Sequence, residues 1–241
     1  MNRVGVVTAL AAEARTLGRA VRRRDGLASL GDGTLLAVGG MGGELAAGAA
    51  RRLVDAGVAG LLSFGFAGGL DPSLSAGTVV CPTEIISGTG ARIATSADWR
   101  ERLRVATGAA PLPLVGGTLL THSAPIDSVS GKASAFRETG AVAVDMESLS
   151  VAQVAAAFGL PFIAVRVIVD TAADVLPQAV LAANRAGSLS IGRLLGGLAR
   201  APSELAALIR LAQRYRAATR SLTAVARAAA SAPQVLGARA V

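Results

Sequence analysis

Short apolar runs, bounded by glycine, proline or charged residues, alternate along the chain with segments whose apolar positions recur at helical spacing. The short runs are predicted to be strands and the periodic segments to be helices. The predicted strands span residues 4–10, 34–38, 61–66, 77–82, 141–144 and 161–169. The predicted helices span residues 11–19, 44–56, 148–158 and 178–198. This alternation is typical of an α/β protein with a largely parallel central sheet.

Residues 141–169 form one strand–helix–strand unit, which predicts that the two strands pair in parallel through a right-handed crossover. The pattern is first interrupted at Arg200-Ala-Pro-Ser203, so we predict a main domain over 1–200 and a tail over 201–241. Apolar residues on one face and arginines elsewhere predict a basic amphipathic helix over 204–228. This helix is either an ordinary C-terminal or oligomer-forming helix, or a contact for an anionic membrane surface.

The charge balance narrows the choice of partners. The 241 residues include 24 basic and 16 acidic ones, a net charge of +8, and Lys132 is the one lysine. One Trp and one Tyr do not provide an aromatic stacking platform, so no nucleic-acid partner is expected. The first apolar run breaks at Glu13 and is interpreted as a strand rather than a signal peptide. No run predicts a membrane-spanning helix.

The chain has one cysteine, Cys81, and one histidine, His122. A single thiol cannot close an intramolecular disulfide, so we interpret Cys81 as a buried structural residue in a reducing compartment. The expected location is the cytoplasm, at the inner face of the membrane if the tail binds there. One histidine excludes multi-histidine metal sites, and we predict neither a metal nor an organic cofactor.

Three carboxylates follow predicted strands directly and are the candidates for chemistry. Asp170 ends the strand that begins at 161, where burial would raise its pKa towards that of a general acid. Alternatively, it is a helix-capping or loop residue, because Thr171-Ala-Ala-Asp174 has the composition of a polar turn. Glu147 could accept two hydrogen bonds from a vicinal diol, with Met146 against the sugar face, or it could be a first-turn helix residue. Glu13 follows the first strand and is suited to activating water.

Two glycine segments, 39–43 and 65–69, are predicted to be strand-end turns. In such turns, backbone N–H groups can approach an anion or a sugar. Glycine is also common in turns for steric reasons alone, so each segment by itself is a weak indication.

The order of these motifs resembles the purine nucleoside phosphorylase and methylthioadenosine/S-adenosylhomocysteine nucleosidase superfamily, over about residues 3–195. Glu13, the Gly-Met-Gly-Gly turn, Phe66-Ala-Gly-Gly-Leu70, Val-Asp-Met-Glu147 and the strand ending at Asp170 carry the resemblance. It implies a three-layer αβα sandwich with a central mixed, largely parallel sheet, and a homodimer or larger homo-oligomer. The chain departs from the family at Ser63, where phosphorylases have an arginine, and at Val169, where a serine is common.

The resemblance also implies roles for individual residues. Asp170 would protonate the purine and Glu13 would activate water, which makes these two the predicted catalytic residues. The predicted substrate-binding residues are Glu147 and Met146 at the ribose, together with Phe66, Ala67, Gly68 and Ile126. If phosphate is a co-substrate, Gly42 and Arg15 are the candidates to bind it.

Within this superfamily, the chain resembles the bacterial hopanoid-associated phosphorylase-like proteins in its Val-Asp-Met-Glu-Ser segment and its arginine-rich C-terminal helix. This resemblance implies release of adenine from adenosylhopane in hopanoid lipid biosynthesis, by phosphorolysis or hydrolysis. The alternatives are a methylthioadenosine/S-adenosylhomocysteine nucleosidase and a non-catalytic nucleoside-binding protein.

Overall fold

A mixed β-sheet runs through the part of the chain that the computed structural model describes, residues 3–23, 25–30, 33–108, 112, 114–176 and 205–232. Its strands are β1 (Val4–Thr8), β2 (Val21–Arg22), β3 (Ala28–Leu30), β4 (Thr34–Val38), β5 (Gly60–Gly69), β6 (Val79–Val80), β7 (Glu84–Ser87), β8 (Arg92–Ala94), β9 (Leu114–Val115), β10 (Thr118–Thr121), β11 (Ala141–Asp145) and β12 (Phe162–Asp170). The helices are α1 (Ala11–Thr16), α2 (Gly43–Asp55), α3 (Ala97–Thr107), α4 (Val129–Thr139), α5 (Ser148–Ala157) and α6 (Leu205–Ala230). The predicted helix over 178–198 lies outside the described residues.

The strands are ordered β2-β3-β4-β1-β5-β11-β10-β7-β8, and β12 pairs with β5 and with β6. β1 is parallel to β4 and β5, and β12 is parallel to β5, so the centre of the sheet is parallel. The prediction that β11 and β12 pair with each other is wrong. Both instead pair with β5, β12 in parallel along its length and β11 antiparallel at its end, because the long β5 offers an edge to each.

Helices cover both faces of this sheet, which confirms the predicted fold class. On one face, small residues of α2 and α5, such as Ala49 and Ala152, pack against the sheet. On the other face, α3 and α6 contribute Trp99 and Leu222 to a second cluster. Residues of β12 alternate between the two clusters, as the period of two in a strand requires. The run is apolar on both faces because the strand is central and covered on both sides.

The tail helix α6 is part of the same core. Ala218, Leu222 and Val225 are buried and pack in the cluster that contains sheet residues. The boundary predicted at residue 200 therefore does not separate two hydrophobic cores. The other side of α6 exposes arginines, among them Arg216 and Arg220, as the pattern predicts. Among the described residues, no helix is both long and apolar enough to cross a membrane.

The glycine segment 65–69 is not a turn, which corrects the prediction for it. β5 continues through it to Gly69, because Gly68 and Gly69 pair with Val144 and Ala143 of β11. Segment 39–43, by contrast, does leave β4 and enter α2 without regular structure before Gly43.

Cys81 is buried, as predicted. Burial raises the pKa of its thiol to about 12, which disfavours the reactive thiolate.

Candidate active site

A cavity of about 220 Å³ opens at the carboxyl ends of β1, β5, β11 and β12. Open α/β sheets commonly bind ligands at this edge, beyond the ends of their parallel strands. Most of the predicted site residues line the cavity: Glu13, Phe66, Ala67, Gly68, Ile126, Met146, Glu147 and Asp170. The two phosphate-site candidates, Arg15 and Gly42, do not line it, and Arg15 is exposed on α1.

Glu13 reaches the cavity from the first turn of α1. Its Oε2 accepts hydrogen bonds from the N–H groups of Ala9 (2.9 Å) and Leu10 (2.8 Å), and its Oε1 accepts one from Phe66 of β5 (2.9 Å). Burial raises the pKa of Glu13 above its ordinary value, while the Arg166 guanidinium and these three amides oppose the shift. A carboxylate fixed in this way keeps a lone pair on Oε1 for a further donor, such as water.

Gly65 allows β5 to pass this close to Glu13. A Cβ atom at position 65 would overlap the Glu13 carboxylate and lie 3.0 Å from Nη1 of Arg166. The glycine is therefore required by a close approach of charged side chains rather than by an unusual backbone angle.

Arg166 is a buried cation in the middle of β12, and the sequence analysis did not single it out. Its Nε and Nη2 lie 2.8 and 2.7 Å from Oδ2 of Asp145, and Nη2 also donates to the Ser63 hydroxyl at 2.7 Å. Glu147 lies 4.0 Å from the same guanidinium. The available signal was a charge inside an otherwise apolar strand, since a buried charge needs partners.

Glu147 stands between β11 and α5. Its Oε1 accepts the N–H of Gly42 at 2.9 Å, so that amide is engaged and not free for a phosphate. The alternative was a residue in the first turn of a helix, but Glu147 lies directly before α5, and Asp145 rather than Glu147 accepts the N–H of Ser148. Burial, and next the Asp145 charge, raise the pKa of Glu147 to about 7, with Arg166 acting in the opposite direction.

Asp170 is the last residue of β12 and contacts Lys132 of α4. The Lys132 ammonium lies 2.5 Å from Oδ2 of Asp170. Burial raises the pKa of Asp170 above its ordinary value, and the charge of Lys132 opposes the shift. In the loop after β12, the capping carboxylate is that of Asp174 and not that of Asp170, because Asp174 accepts hydrogen bonds from the amide and hydroxyl of Thr171. No sequence pattern indicated Lys132, which is distant from Asp170 in the chain and does not follow a strand.

The remaining wall of the cavity is mostly apolar. It includes Ala124, Pro125 and Ile126 of the loop before α4, together with Met41 and Leu176. The rings of Phe66 and Tyr215 contact each other with their centres 5.2 Å apart, which brings α6 to the edge of the cavity. His122 lies in the same loop, where its Nδ1 is 2.7 Å from the carbonyl oxygen of Ala124. The described residues contain no cluster of three or more potential metal ligands.

The fold is an α/β fold with buried carboxylates at its strand ends, and they line a cavity whose remaining wall is mostly apolar. Residues 15–195 match the model of the phosphorylase superfamily. The chain belongs to this family, which confirms the prediction of an enzyme of the nucleoside phosphorylase and nucleosidase class. No curated protein matches the chain.

Solved structures of low sequence identity share the fold. The methylthioadenosine/S-adenosylhomocysteine nucleosidase of Neisseria meningitidis, in complex with methylthio-immucillin-A, is 20% identical, with a TM-score of 0.71 over 96% of this chain and 100% of that one. The futalosine hydrolase of Helicobacter pylori is 19% identical, with a TM-score of 0.64 over 72% of this chain and 86% of that one. At these identities the likeness concerns the fold.

Proposed function

We propose that the protein hydrolyses the N-glycosidic bond of an adenine nucleoside that carries a substituent at its 5′ carbon. The observation that carries the proposal is the presence of two buried carboxylates in one cavity, Glu13 and Asp170, with different cations beside them. Glu13 approaches β5 at Gly65 and Asp170 approaches it at Gly68. Three strand residues span about 10 Å, so the two carboxylates contact β5 at different points, and both line the same cavity.

Each charged side chain then has one task in the reaction. Asp170 gives its proton to N7 of the purine, and the electrons of the breaking C–N bond remain on the base. Glu147 accepts hydrogen bonds from the 2′- and 3′-hydroxyls and stabilises the positive charge that develops on the sugar. Glu13 takes a proton from water, and the hydroxide forms the new bond to the anomeric carbon. The products are the free base and the free sugar.

The charges at the sugar side favour water over phosphate as the nucleophile. Glu13, Asp145 and Glu147 surround one guanidinium, that of Arg166, which already binds Asp145 and Ser63. A phosphate dianion placed here would face an excess of negative charge, and like charges near 4 Å repel by about 4 kcal/mol at an intermediate dielectric. Neither Arg15 nor the Gly42 amide is available to compensate.

Two 5′ substituents remain as candidates. Adenosylhopane is favoured by the resemblance of the Val-Asp-Met-Glu-Ser segment and by the apolar side chains near the cavity, which include Phe66, Leu176 and Tyr215. Methylthioadenosine or S-adenosylhomocysteine is favoured by the structural likeness to nucleosidases with these substrates in their names. All these substrates have an adenine and a ribose with a free diol, and they differ in the 5′ group, which is apolar in adenosylhopane and methylthioadenosine and a charged amino acid in S-adenosylhomocysteine. The same three carboxylates would therefore serve each of them.

The test is adenine release from adenosylhopane in detergent micelles, from methylthioadenosine and from S-adenosylhomocysteine, each with and without phosphate. We expect release that does not depend on phosphate, and ¹⁸O from labelled water in the sugar product. Ribose 1-phosphate derivatives as the only product would contradict the hydrolytic proposal and establish a phosphorylase. Nucleoside binding without base release would support the non-catalytic alternative.

The homo-oligomeric state, the cytoplasmic location and a membrane contact of α6 stay predictions. The exposed arginines of α6 are compatible with an anionic surface, and Tyr215 of α6 contacts Phe66, which lines the cavity. Sedimentation with vesicles of anionic and of neutral lipids would test the contact, and we expect binding to the anionic ones alone.

A further inference from the structure

We propose that Lys132 is a positioning residue for the acid step, in which its ammonium stabilises the carboxylate that Asp170 becomes on giving its proton to the base. The inference rests on the proposed function, because it concerns the same Asp170. It assigns a role to the chain's one lysine, which lies outside every motif of the sequence analysis.

The surroundings of Lys132 are built for an ammonium ion. The side chain is fully buried, and its Nζ lies 2.5 Å from Oδ2 of Asp170, 2.8 Å from the carbonyl oxygen of Thr171 and 3.0 Å from that of Asp174. An ammonium group has three N–H donors, and each finds one acceptor here. A neutral amine would leave a buried acceptor without a donor, which is costly.

The backbone holds this ammonium in place from two sides. α4 begins after Ser128, whose hydroxyl accepts the N–H of Gly131, and Lys132 follows directly in the first turn. On the other side, the loop after β12 is closed by Asp174, which binds Thr171 and contacts Arg214 of α6. Three elements of the fold therefore converge on the Lys132–Asp170 pair.

A purely structural role does not explain the pair well. A buried ion pair contributes little to stability compared with apolar residues of the same shape, since both charges lose their hydration. The two carbonyl oxygens alone would tie α4 to the loop. The third acceptor is a carboxylate that lines the cavity, which places the positive charge where a reaction can use it.

The chemistry of the acid step requires such a charge. Burial raises the pKa of Asp170 and so favours the protonated form that a general acid needs, but it also makes the carboxylate that remains after proton transfer unfavourable. The ammonium at Oδ2 removes much of that cost at the moment when the proton leaves. Lys132 thus makes Asp170 a stronger acid without exposing it to water.

Other charges around Asp170 do not replace that of Lys132. Asp174, in the adjacent loop, is negative and contacts Arg214 of α6, so that cation is engaged. On the sugar side of the cavity, Glu13 and Glu147 are acidic, and Arg166 is bound to Asp145. Among the described residues, Lys132 is the cation in direct contact with Asp170.

The experiment compares Lys132→Met with Arg137→Met, which removes one positive charge from an exposed position of the same helix. Each is assayed on an adenine nucleoside and on 4-nitrophenyl β-riboside, whose leaving group needs no proton. We expect Lys132→Met to lower kcat for the nucleoside about 10- to 100-fold, with KM little changed, and to leave nitrophenol release within about threefold of wild type. Arg137→Met should match wild type on both. Equal losses on both substrates would show a structural role and overturn the proposal.

The pH dependence gives a second readout. Activity that needs protonated Asp170 falls as the pH rises through its pKa, and removing the neighbouring cation raises that pKa. The descending limb of kcat for the nucleoside should therefore move up by about one pH unit or more in Lys132→Met. An unmoved limb contradicts the proposal. The same shift, followed by ¹³C NMR of the aspartate carboxyls in the free protein, tests the Lys132–Asp170 coupling even if wild type releases no adenine, an outcome that would refute only the proposed function.

A double variant covers the case in which Lys132→Met fails to fold. Asp170→Asn with Lys132→Met leaves no unpaired buried charge at the site, so it should fold at least as well as Asp170→Asn, in which the buried Lys132 ammonium has lost its carboxylate partner. Because Lys132 acts through Asp170, adding Lys132→Met to Asp170→Asn should change nucleoside turnover less than about twofold. A further loss of tenfold or more would overturn the proposal.

Discussion

The two sides of the cavity use the same kinds of side chain in different proportions. At the sugar side, Glu13, Asp145 and Glu147 share a single cation, Arg166. At the base side, Asp170 has a cation of its own, Lys132. With these four carboxyl groups ionised, the sugar side would have three negative charges against one positive charge, and the charge of Asp170 would be balanced by that of Lys132.

In the proposed reaction, this difference gives the carboxylates of one cavity opposite tasks. A surplus of negative charge stabilises a sugar that becomes cationic and helps Glu13 to remove a proton from water. Beside Lys132, Asp170 would be neutral while it holds its proton and would form an ion pair once the proton has left. Environments that separate the properties of similar groups are a general means of assigning acid and base roles. Variants that affect one side of the cavity and leave the other intact test this difference.

Removal of the acid should have the largest effect. Asp170→Asn cannot donate to the purine, so we expect kcat for an adenine nucleoside to fall about 10³-fold, within the range for a lost general acid. Release of 4-nitrophenol from its riboside should change less than tenfold, because that leaving group needs no proton. Steady-state assays on both substrates, with thermal unfolding to verify the fold, provide the measurement. Wild-type turnover of the nucleoside would contradict the assignment of Asp170.

Removal of the general base, Glu13, should affect both substrates. Glu13→Gln keeps the shape of the side chain and loses the proton acceptor, so we expect a decrease of about 10²- to 10³-fold for the nucleoside and a similar one for the nitrophenyl riboside. Added azide, a nucleophile that needs no deprotonation, should restore part of the activity and yield the glycosyl azide. Loss confined to the nucleoside would place Glu13 in base recognition instead.

A smaller effect should follow from a variant that displaces the Glu13 carboxylate without removing it. In Gly65→Ala, the new methyl group would overlap the Glu13 carboxylate, so the carboxylate must move away from its three amide donors. Misplacement of a reacting group by about 1 Å can cost about 10²-fold, and we expect a loss of 10- to 100-fold in kcat. Gly88→Ala is the control, because a Cβ there meets no atom within 4 Å. Equal activity of the two variants would argue against a fixed position for Glu13.

Parts of this comparison were visible in the sequence. Glu13, Glu147 and Asp170 follow apolar runs, and the ends of central strands meet at one edge of an open α/β sheet, so their convergence could be predicted. The pairing of Lys132 with Asp170 could not, because it joins residues 38 positions apart through the packing of α4 on the loop after β12. The partners of Arg166 could be predicted only in part, since its place in an apolar strand indicated a buried partner but not which one.

The glycines show a second limit of sequence patterns. Segment 65–69 has the composition of a turn, yet β5 continues through it and its glycines make room for Glu13 and for Asp170. Local composition does not distinguish a glycine that turns the chain from one that admits a neighbour, because the neighbour comes from a distant element. The choice between water and phosphate as the nucleophile likewise could not be made from local composition. It depends on how many carboxylates share Arg166, which only the folded chain determines.

The smallest effect in this series concerns Glu147 and the pH. With a pKa of about 7, Glu147 becomes a carboxylate as the pH rises through neutrality, so its grip on the ribose diol should strengthen and KM should fall over that interval. In Glu147→Gln, we expect KM to be about tenfold higher at pH 8, the loss of about 1.4 kcal/mol of binding, and independent of pH between 6 and 8. Substrate titrations at half-unit pH steps measure both effects.

Glu147 should also affect how the stability of the protein depends on pH. Its contribution to stability should decrease as the pH rises, whereas its contribution to substrate binding should increase. Its pKa in the folded protein, about 7, exceeds the ordinary value of 4.5, so the folded state binds a proton more tightly than the unfolded one. The contribution of Glu147 to the free energy of unfolding is therefore fully present below pH 4.5 and is lost as the pH rises through 7. The free energy of unfolding, measured with urea, should decrease less between pH 5 and pH 8 in Glu147→Gln than in wild type. An equal decrease in both proteins would mean that Arg166 already neutralises Glu147, and that the negative surplus at the sugar side is smaller than the three carboxylates suggest.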